Sequence, residues 1–211
     1  MILKYSFGQE YNPCQKKEGT KNGDTLITFF PNCSDTATYV KRRYSKNGII
    51  WSNESYKDNV INGISWFTSQ NEGILSYYYE NGKVVKLIYY YPNSGIPRSV
   101  YEYLSDTSVY INNFYPSGNP MSIGYSFIDS IGDEHKKGKW IEYDSLGYSY
   151  WIGNYIPVHI EKQDTVQREF KMLVVYTVML AVRHGIWKRF DSMGKENETI
   201  IYKEGNIIKK E

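Results

Sequence analysis

Apolar and aromatic residues come in short alternating runs along the chain, and each run stops at a cluster of Gly, Pro, Asn, Asp or Ser. Alternation with a period of two is the mark of a strand with one face turned inward, and the clusters are turn chemistry. One run breaks the alternation. Leu87–Pro97 reads LIYYYPNSGIP, with three tyrosines in succession before a Pro-Asn-Ser-Gly turn. Successive side chains on a strand point to opposite faces, so both faces here receive a large ring. A tyrosine carries an apolar ring and a hydroxyl that stays wet, which suits a sheet whose faces are neither core nor open solvent.

The turns repeat. GKWIEYDSLG at Gly138–Gly147 and GIWKRFDSMG at Gly185–Gly194 both read Gly-x-Trp-x-x-aromatic-Asp-Ser-x-Gly. Weaker copies occur at Tyr44–Gly48, Tyr91–Gly95 and Tyr115–Gly118, with a longer version at Phe67–Gly73. Phe30-Pro-Asn-Cys33 has cysteine in the glycine slot. The closing glycines lie roughly 22–29 residues apart, with one gap of about 47, which fits a period near 23. The longer gaps hold a small loop around Gly132–Lys137 and a larger insertion. A second turn follows the first by about ten residues, at Tyr56–Asn59, Tyr79–Gly82 and Tyr202–Gly205, where Asn-Gly and Glu-Gly supply the positive φ of tight hairpins. Each period is therefore strand, turn, strand, turn. The expected fold is all-β: an elongated single-layer antiparallel meander of hairpin repeats, about 70 Å long before curvature at two strands per period. Residues 1–43 are expected to cap it with an irregular first repeat, and 44–211 to form the repeat domain, interrupted by an insertion at 158–184.

That insertion contains IEKQDTVQREFKMLVVYTVMLAVR, Ile160–Arg183. Asp164-Thr165 resembles a helix cap, and Val166, Phe170, Leu173, Tyr176 and Leu180 fall at spacings of three and four. The β-branched residues Val174, Val175, Thr177, Val178 and Val182 favour an extra hairpin instead. The absence of any Gly, Pro or Asn turn tips the expectation to one inserted helix over about 161–183, lying on one face of the sheet. The apolar run Met172–Val182 is shorter than the roughly 20 residues of a spanning helix, so no integral membrane contact is expected.

Gly-x-Trp-x-x-Tyr, then Asp-Ser-x-Gly, then a Tyr-x-x-Gly turn, resembles the MORN family of repeats, and within it the bacterial YwqK-type variant. The resemblance spans roughly Tyr44–Lys209 and is most specific at Gly138–Tyr155 and Gly185–Ile208. It implies a curved single-layer β-sheet engaged in protein or lipid contact, with a role as an antitoxin or immunity protein neutralising a secreted bacterial toxin. It brings no catalytic residues, and no cofactor.

Composition sharpens this picture. There are 22 tyrosines in 211 residues, and the net charge is only +2. A nucleic-acid partner would call for a basic stripe that this balance does not supply, and anionic lipid would gain little from it. Three histidines, His135, His159 and His184, lack the convergent spacing of metal ligands. No phosphate loop, nucleophile elbow or zinc motif is present, so a non-enzymatic role is expected. Two cysteines, Cys14 and Cys33, could pair or stay free. Met1–Gln9 lacks the apolar stretch of a signal peptide, which leaves a cytoplasmic default beside an envelope or periplasmic site for a trimmed chain.

Trp51, Trp66, Trp140 and Trp187 follow turn glycines and are expected to pack against the next repeat. Trp151 lies outside that slot and is kept as a candidate for function. Strand alternation gathers Tyr77, Tyr79, Tyr89, Tyr91, Tyr101 and Tyr103 on one face. With Arg98 and Glu102 as a polar rim, they form the candidate protein-binding patch, since aromatic anchors ringed by polar groups dominate interface energies. A carbohydrate or cell-envelope module, and a membrane-surface scaffold, are the alternatives.

Overall fold

The structure, a computed structural model, describes residues 14–19, 24–69, 73–167 and 171–211. Among the described residues there is no helix. The N-terminal Met1–Gln9 stretch and the middle of the Phe67–Gly73 turn lie outside them. Sixteen strands follow one another as an open antiparallel meander. They are β1 (Gln15–Gly19), β2 (Thr25–Phe29), β3 (Tyr39–Tyr44), β4 (Ile50–Lys57), β5 (Val60–Ile61), β6 (Gly63–Ser69), β7 (Gly73–Glu80) and β8 (Lys83–Tyr90). They continue as β9 (Pro97–Ser105), β10 (Ser108–Phe114), β11 (Pro120–Ile128), β12 (Glu134–Tyr143), β13 (Tyr150–Gln167), β14 (Lys171–Phe190), β15 (Glu196–Lys203) and β16 (Asn206–Lys210). Sequence neighbours pair with each other, except that short β5 pairs with β4 while β4 also pairs with β6. The chain divides into two compact units. One reaches to Tyr103 and includes Pro116–Gly118; the other holds Leu104–Tyr115 and Asn119–Glu211.

The tight turns have the geometry their residues dictate. Asn81 and Gly82 have φ of 49° and 83°, and Glu204 and Gly205 have 48° and 86°. Two successive positive φ values match the right-handed twist of the flanking strands. At the opposite ends of these strands the Asp-Ser-x-Gly turn works differently. The Asp144 carboxylate accepts from the backbone N–H of Leu146 (3.1 Å), Tyr148 (3.0 Å) and Ser149 (2.9 Å), and the Gly147 N–H donates to the Asp144 carbonyl. Asp191 does the same with Met193 and Lys195. A third copy is Asp129-Ser-Ile-Gly132, where Asp129 accepts from Ile131 and Asp133. The segment read as a loop insertion is thus the same turn, used between β11 and β12.

The inserted helix is not present. Residues 161–167 and 171–183 belong to β13 and β14, strands of 18 and 20 residues paired in register from Tyr150↔Phe190 to Gln167↔Lys171. The apolar spacing that suggested a helix is overridden by the β-branched content, which fits a pleated surface better than a helix interior. Residues 168–170, between the two strands, lie outside the described residues. Beyond Tyr155, β13 no longer pairs with β12, and β14 meets β15 only from Gly185 onward, so the two strands continue as a two-stranded arm.

Packing follows one rule in both units: a large ring lies over a small residue on the neighbouring strand. In the second unit Trp140 is 1% exposed and rests on Gly124, while Trp187 is fully buried on Gly153. Each indole also donates its N–H to the carbonyl of the residue after that glycine, Trp140 to Tyr125 (2.7 Å) and Trp187 to Asn154 (3.2 Å). The rings therefore pack on a glycine of the preceding strand, and their other side meets the following strand, as the sequence suggests, with Trp140 against Tyr155 and Trp187 against Tyr202. Trp51 and Trp66 are only half-buried. In the first unit serines take the glycine role. Ser52, Ser65 and Ser99 are buried on the same face as Phe67, Tyr77 and Tyr89, their cross-strand partners. Cys14 and Cys33 form a disulfide, which ties the residue before β1 to the loop between β2 and β3.

Candidate functional site

Register decides which side chains meet. In the first unit Tyr39 pairs with Tyr56, Ser52 with Phe67, Ser65 with Tyr77, Leu87 with both Tyr77 and Tyr101, and Tyr89 with Ser99. Cross-strand partners share a face, as do residues two apart on one strand. One face of this unit therefore carries Tyr39, Tyr56, Phe67, Tyr77, Tyr79, Tyr89, Tyr101 and Tyr103. All eight are half-buried. Their rings touch in series: Tyr39–Tyr56 stack at 4.7 Å, Phe67–Tyr77 meet edge to face at 5.8 Å, Tyr77–Tyr79 stack at 5.9 Å, and Tyr89–Tyr101 meet edge to face at 5.7 Å. Within the first unit no second layer of described structure covers this face.

The structure thus brings together Tyr77, Tyr79, Tyr89, Tyr101 and Tyr103. Tyr91 ends the run and opens the following turn, its N–H donating to the Ile96 carbonyl at 3.0 Å. Arg98 joins the patch, its guanidinium 5.4 Å from the Tyr89 ring centre. Glu102 does not. It pairs with Lys86 in register, between Tyr101 and Tyr103, and so lies on the opposite face in an ion pair of 2.9 Å. Trp151 belongs to the second unit, where the Arg183 and Arg189 guanidiniums lie 5.8 and 5.9 Å from its ring.

Sequence reasoning missed three members of the face, Tyr39, Tyr56 and Phe67. It also missed two cations. Lys41 Nζ lies 4.9 Å from the Tyr56 ring and 5.4 Å from that of Tyr39, and the Arg43 guanidinium lies 4.8 Å from the Trp51 ring. The signal was present in the alternation Tyr39-x-Lys41-x-Arg43. The Tyr56 hydroxyl donates to Glu54 at 2.7 Å; burial, and then this carboxylate, push its ionisation well above the ordinary tyrosine range. Burial also raises Tyr77 and Tyr79, so these phenols stay protonated and neutral.

The second unit shows the contrasting arrangement. Trp140, Tyr155, Trp187 and Tyr202 meet edge to face at 6.3, 5.2 and 6.4 Å. Glu142 sits among them and binds Lys136 (3.0 Å) and Arg183 (2.6 Å), while the Tyr155 hydroxyl donates to it at 2.6 Å. Burial alone would raise Glu142, but the Tyr155 hydroxyl, Lys136 and Arg183 outweigh it and hold the carboxyl below its usual value. Burial and the bond to Glu142 push Tyr155 up to about 12. This ion-paired network, two cations on one carboxylate, links three strands.

His135 is buried, with Nε2 2.9 Å from the Asp129 carboxylate. His184 Nδ1 accepts the Glu204 N–H, and His159 is exposed. No cluster of three or more His, Cys, Asp or Glu side chains that could hold a metal occurs among the described residues. A depression of about 470 Å³ is an open groove between Asp133–Lys136 and Met179–Ala181. A scan against protein-family models finds none that matches the chain, and a search of curated proteins finds no match.

Proposed function

We propose that the protein is a binding scaffold that acts without catalysis and engages a protein partner through the aromatic face of its first unit. One observation carries this reading: seven tyrosines and Phe67 gathered on one sheet face of the first unit, with no second layer of that unit over them. A stacked aromatic surface is rigid, so it loses little conformational entropy on binding, and tyrosine offers both apolar area and a hydroxyl. The likeness to MORN-type repeats supports the same reading and adds a toxin-neutralising role, in which the partner is a secreted bacterial toxin.

The test pairs binding with stability. Tyr89→Ser with Tyr101→Ser removes one ring pair near the centre of the face. Partner capture by the tagged wild type is compared with capture by this variant, with thermal melts alongside. Lost capture with a melt close to wild type supports the reading. Capture that persists, or a collapse in stability, assigns the rings to packing.

A further inference from the structure

The two units treat their cations differently. In the second unit each cation of the tryptophan-bearing face reaches a carboxylate, two to each: Lys136 and Arg183 share Glu142, and Arg189 and Lys210 share Glu198. In the first unit Lys41, Arg43 and Arg98 lie over aromatic rings, and no described carboxylate comes within ion-pair distance of any of them. Arg43 has its Nε buried with no hydrogen-bond partner, as does Arg189 of the second unit. Lys41 stands opposite Glu54 on β4 and its charge reaches Glu18, but those carboxylates bond elsewhere, Glu54 with the Tyr56 hydroxyl and Glu18 with Lys16.

We propose that the aromatic face of the first unit receives an acidic polypeptide segment, whose carboxylates meet Lys41, Arg43 and Arg98 and whose apolar side chains lie on the tyrosines between. This rests on the reading of that face as a protein-binding surface. Register sets the spacing. Lys41 and Arg43 stand on β3 and Arg98 on β9, five strand steps apart in the order β3-β4-β6-β7-β8-β9, or about 24 Å at 4.8 Å per step. A segment of roughly seven or eight extended residues spans that distance, so it presents acidic groups at both ends of an apolar or aromatic stretch. A guanidinium stacked on a ring is held in place with its N–H edge outward, which favours bidentate carboxylate recognition. An anionic membrane fits less well. Surface attraction to lipid is built from clusters of four to eight basic residues, and here three cations sit at two separated points.

The probe is a fluorescently labelled random copolymer of glutamate and tyrosine, titrated against the full chain. Polyglutamate and phosphatidylserine vesicles serve as comparators. The copolymer is expected to bind saturably, more tightly than polyglutamate, and to weaken as salt screens the charges. Lys41→Gln with Arg98→Gln should weaken binding about tenfold, as loss of paired charges at an interface does. Tyr89→Ser with Tyr101→Ser should weaken it comparably, and Lys188→Gln, on the second unit, should leave it unchanged. Melts confirm that each variant is folded. Equal binding by the charge-neutralised variant, equal binding of polyglutamate, or binding to vesicles alone overturns the proposal. If the copolymer fails to bind while the serine variant still loses its captured partner, the acidic assignment falls and the protein-binding reading stands. If the serine variant loses nothing, the reading of the face falls with it.

Discussion

A methyl group added at Gly153 should disable one whole repeat. The Cβ of an alanine there would lie 2.1–2.4 Å from three central atoms of the Trp187 indole. Ordinary contact needs about 3.5 Å or more, so the ring must move by more than an ångström. It cannot swing aside as a flexible chain end could, because it is fully buried and its N–H is bonded to the Asn154 carbonyl. Overpacking of this kind costs about 1–3 kcal/mol, and the strained or lost hydrogen bond adds about 1 kcal/mol. Gly153→Ala should therefore destabilise by about 2–4 kcal/mol, against about 3–5 kcal/mol for Trp187→Ala. The decisive variant carries both. With the indole gone the methyl has space, and alanine is a better strand residue than glycine, so adding Gly153→Ala to Trp187→Ala should be neutral or slightly stabilising. Urea unfolding of the four proteins gives a coupling energy of about 2–4 kcal/mol if the ring lies on the glycine. Additive losses would refute the ring-over-glycine packing.

Three further outcomes are expected. Asp191→Ala strips two backbone N–H groups of their acceptor and should cost about 1–2 kcal/mol, while Asp144→Ala, which also loses Ser149, should cost more; equal and negligible effects in urea melts would remove the turn from the stabilising features. Tyr155 has its folded ionisation raised to about 12, so its stabilising contribution is complete below the unfolded tyrosine value near 10 and is lost as pH rises through about 12; tyrosinate absorbance should show a late step, shared with Tyr56, whose amplitude Tyr155→Phe reduces, and a single step near 10 for all tyrosines would contradict this. Cys14→Ser with Cys33→Ser should cost about 3 kcal/mol for a loop of this length, and thiol titration of the unfolded, unreduced wild type should find no free thiol.

The meander was legible because its turns carry their own chemistry. Asn81-Gly82 and Glu204-Gly205 demand positive φ, and the structure supplies it. The helix expected over 161–183 failed for a definable reason: spacings of three and four among apolar residues also occur where nearly every residue is apolar, and β-branching then decides. The Asp129-Ser-Ile-Gly132 copy was hidden because it closes the opposite end of the strands from Asp144 and Asp191, outside the expected period. Gly124 and Gly153 stood in plain sight. A glycine inside a strand marks close approach of another group, and each here lies beneath a tryptophan of the repeat. At the candidate face, alternation was enough to gather Tyr77, Tyr89 and Tyr101. The same alternation places Glu102 on the other side, with Lys86. What no local pattern could give was the pairing of β3 with β4 and β4 with β6, which brings Tyr39, Tyr56 and Phe67 into the same surface.

The use of that surface can be read directly by hydroxyl-radical footprinting of the tyrosines, with the protein free and with its captured partner bound. Protection should fall on Tyr39, Tyr56, Tyr77, Tyr79, Tyr89, Tyr101 and Tyr103, and leave Tyr110, Tyr125, Tyr143, Tyr150 and Tyr202 of the second unit unchanged. Protection confined to the second unit, or oxidation of the first-unit tyrosines that is the same in both states, would contradict a binding role for the aromatic face.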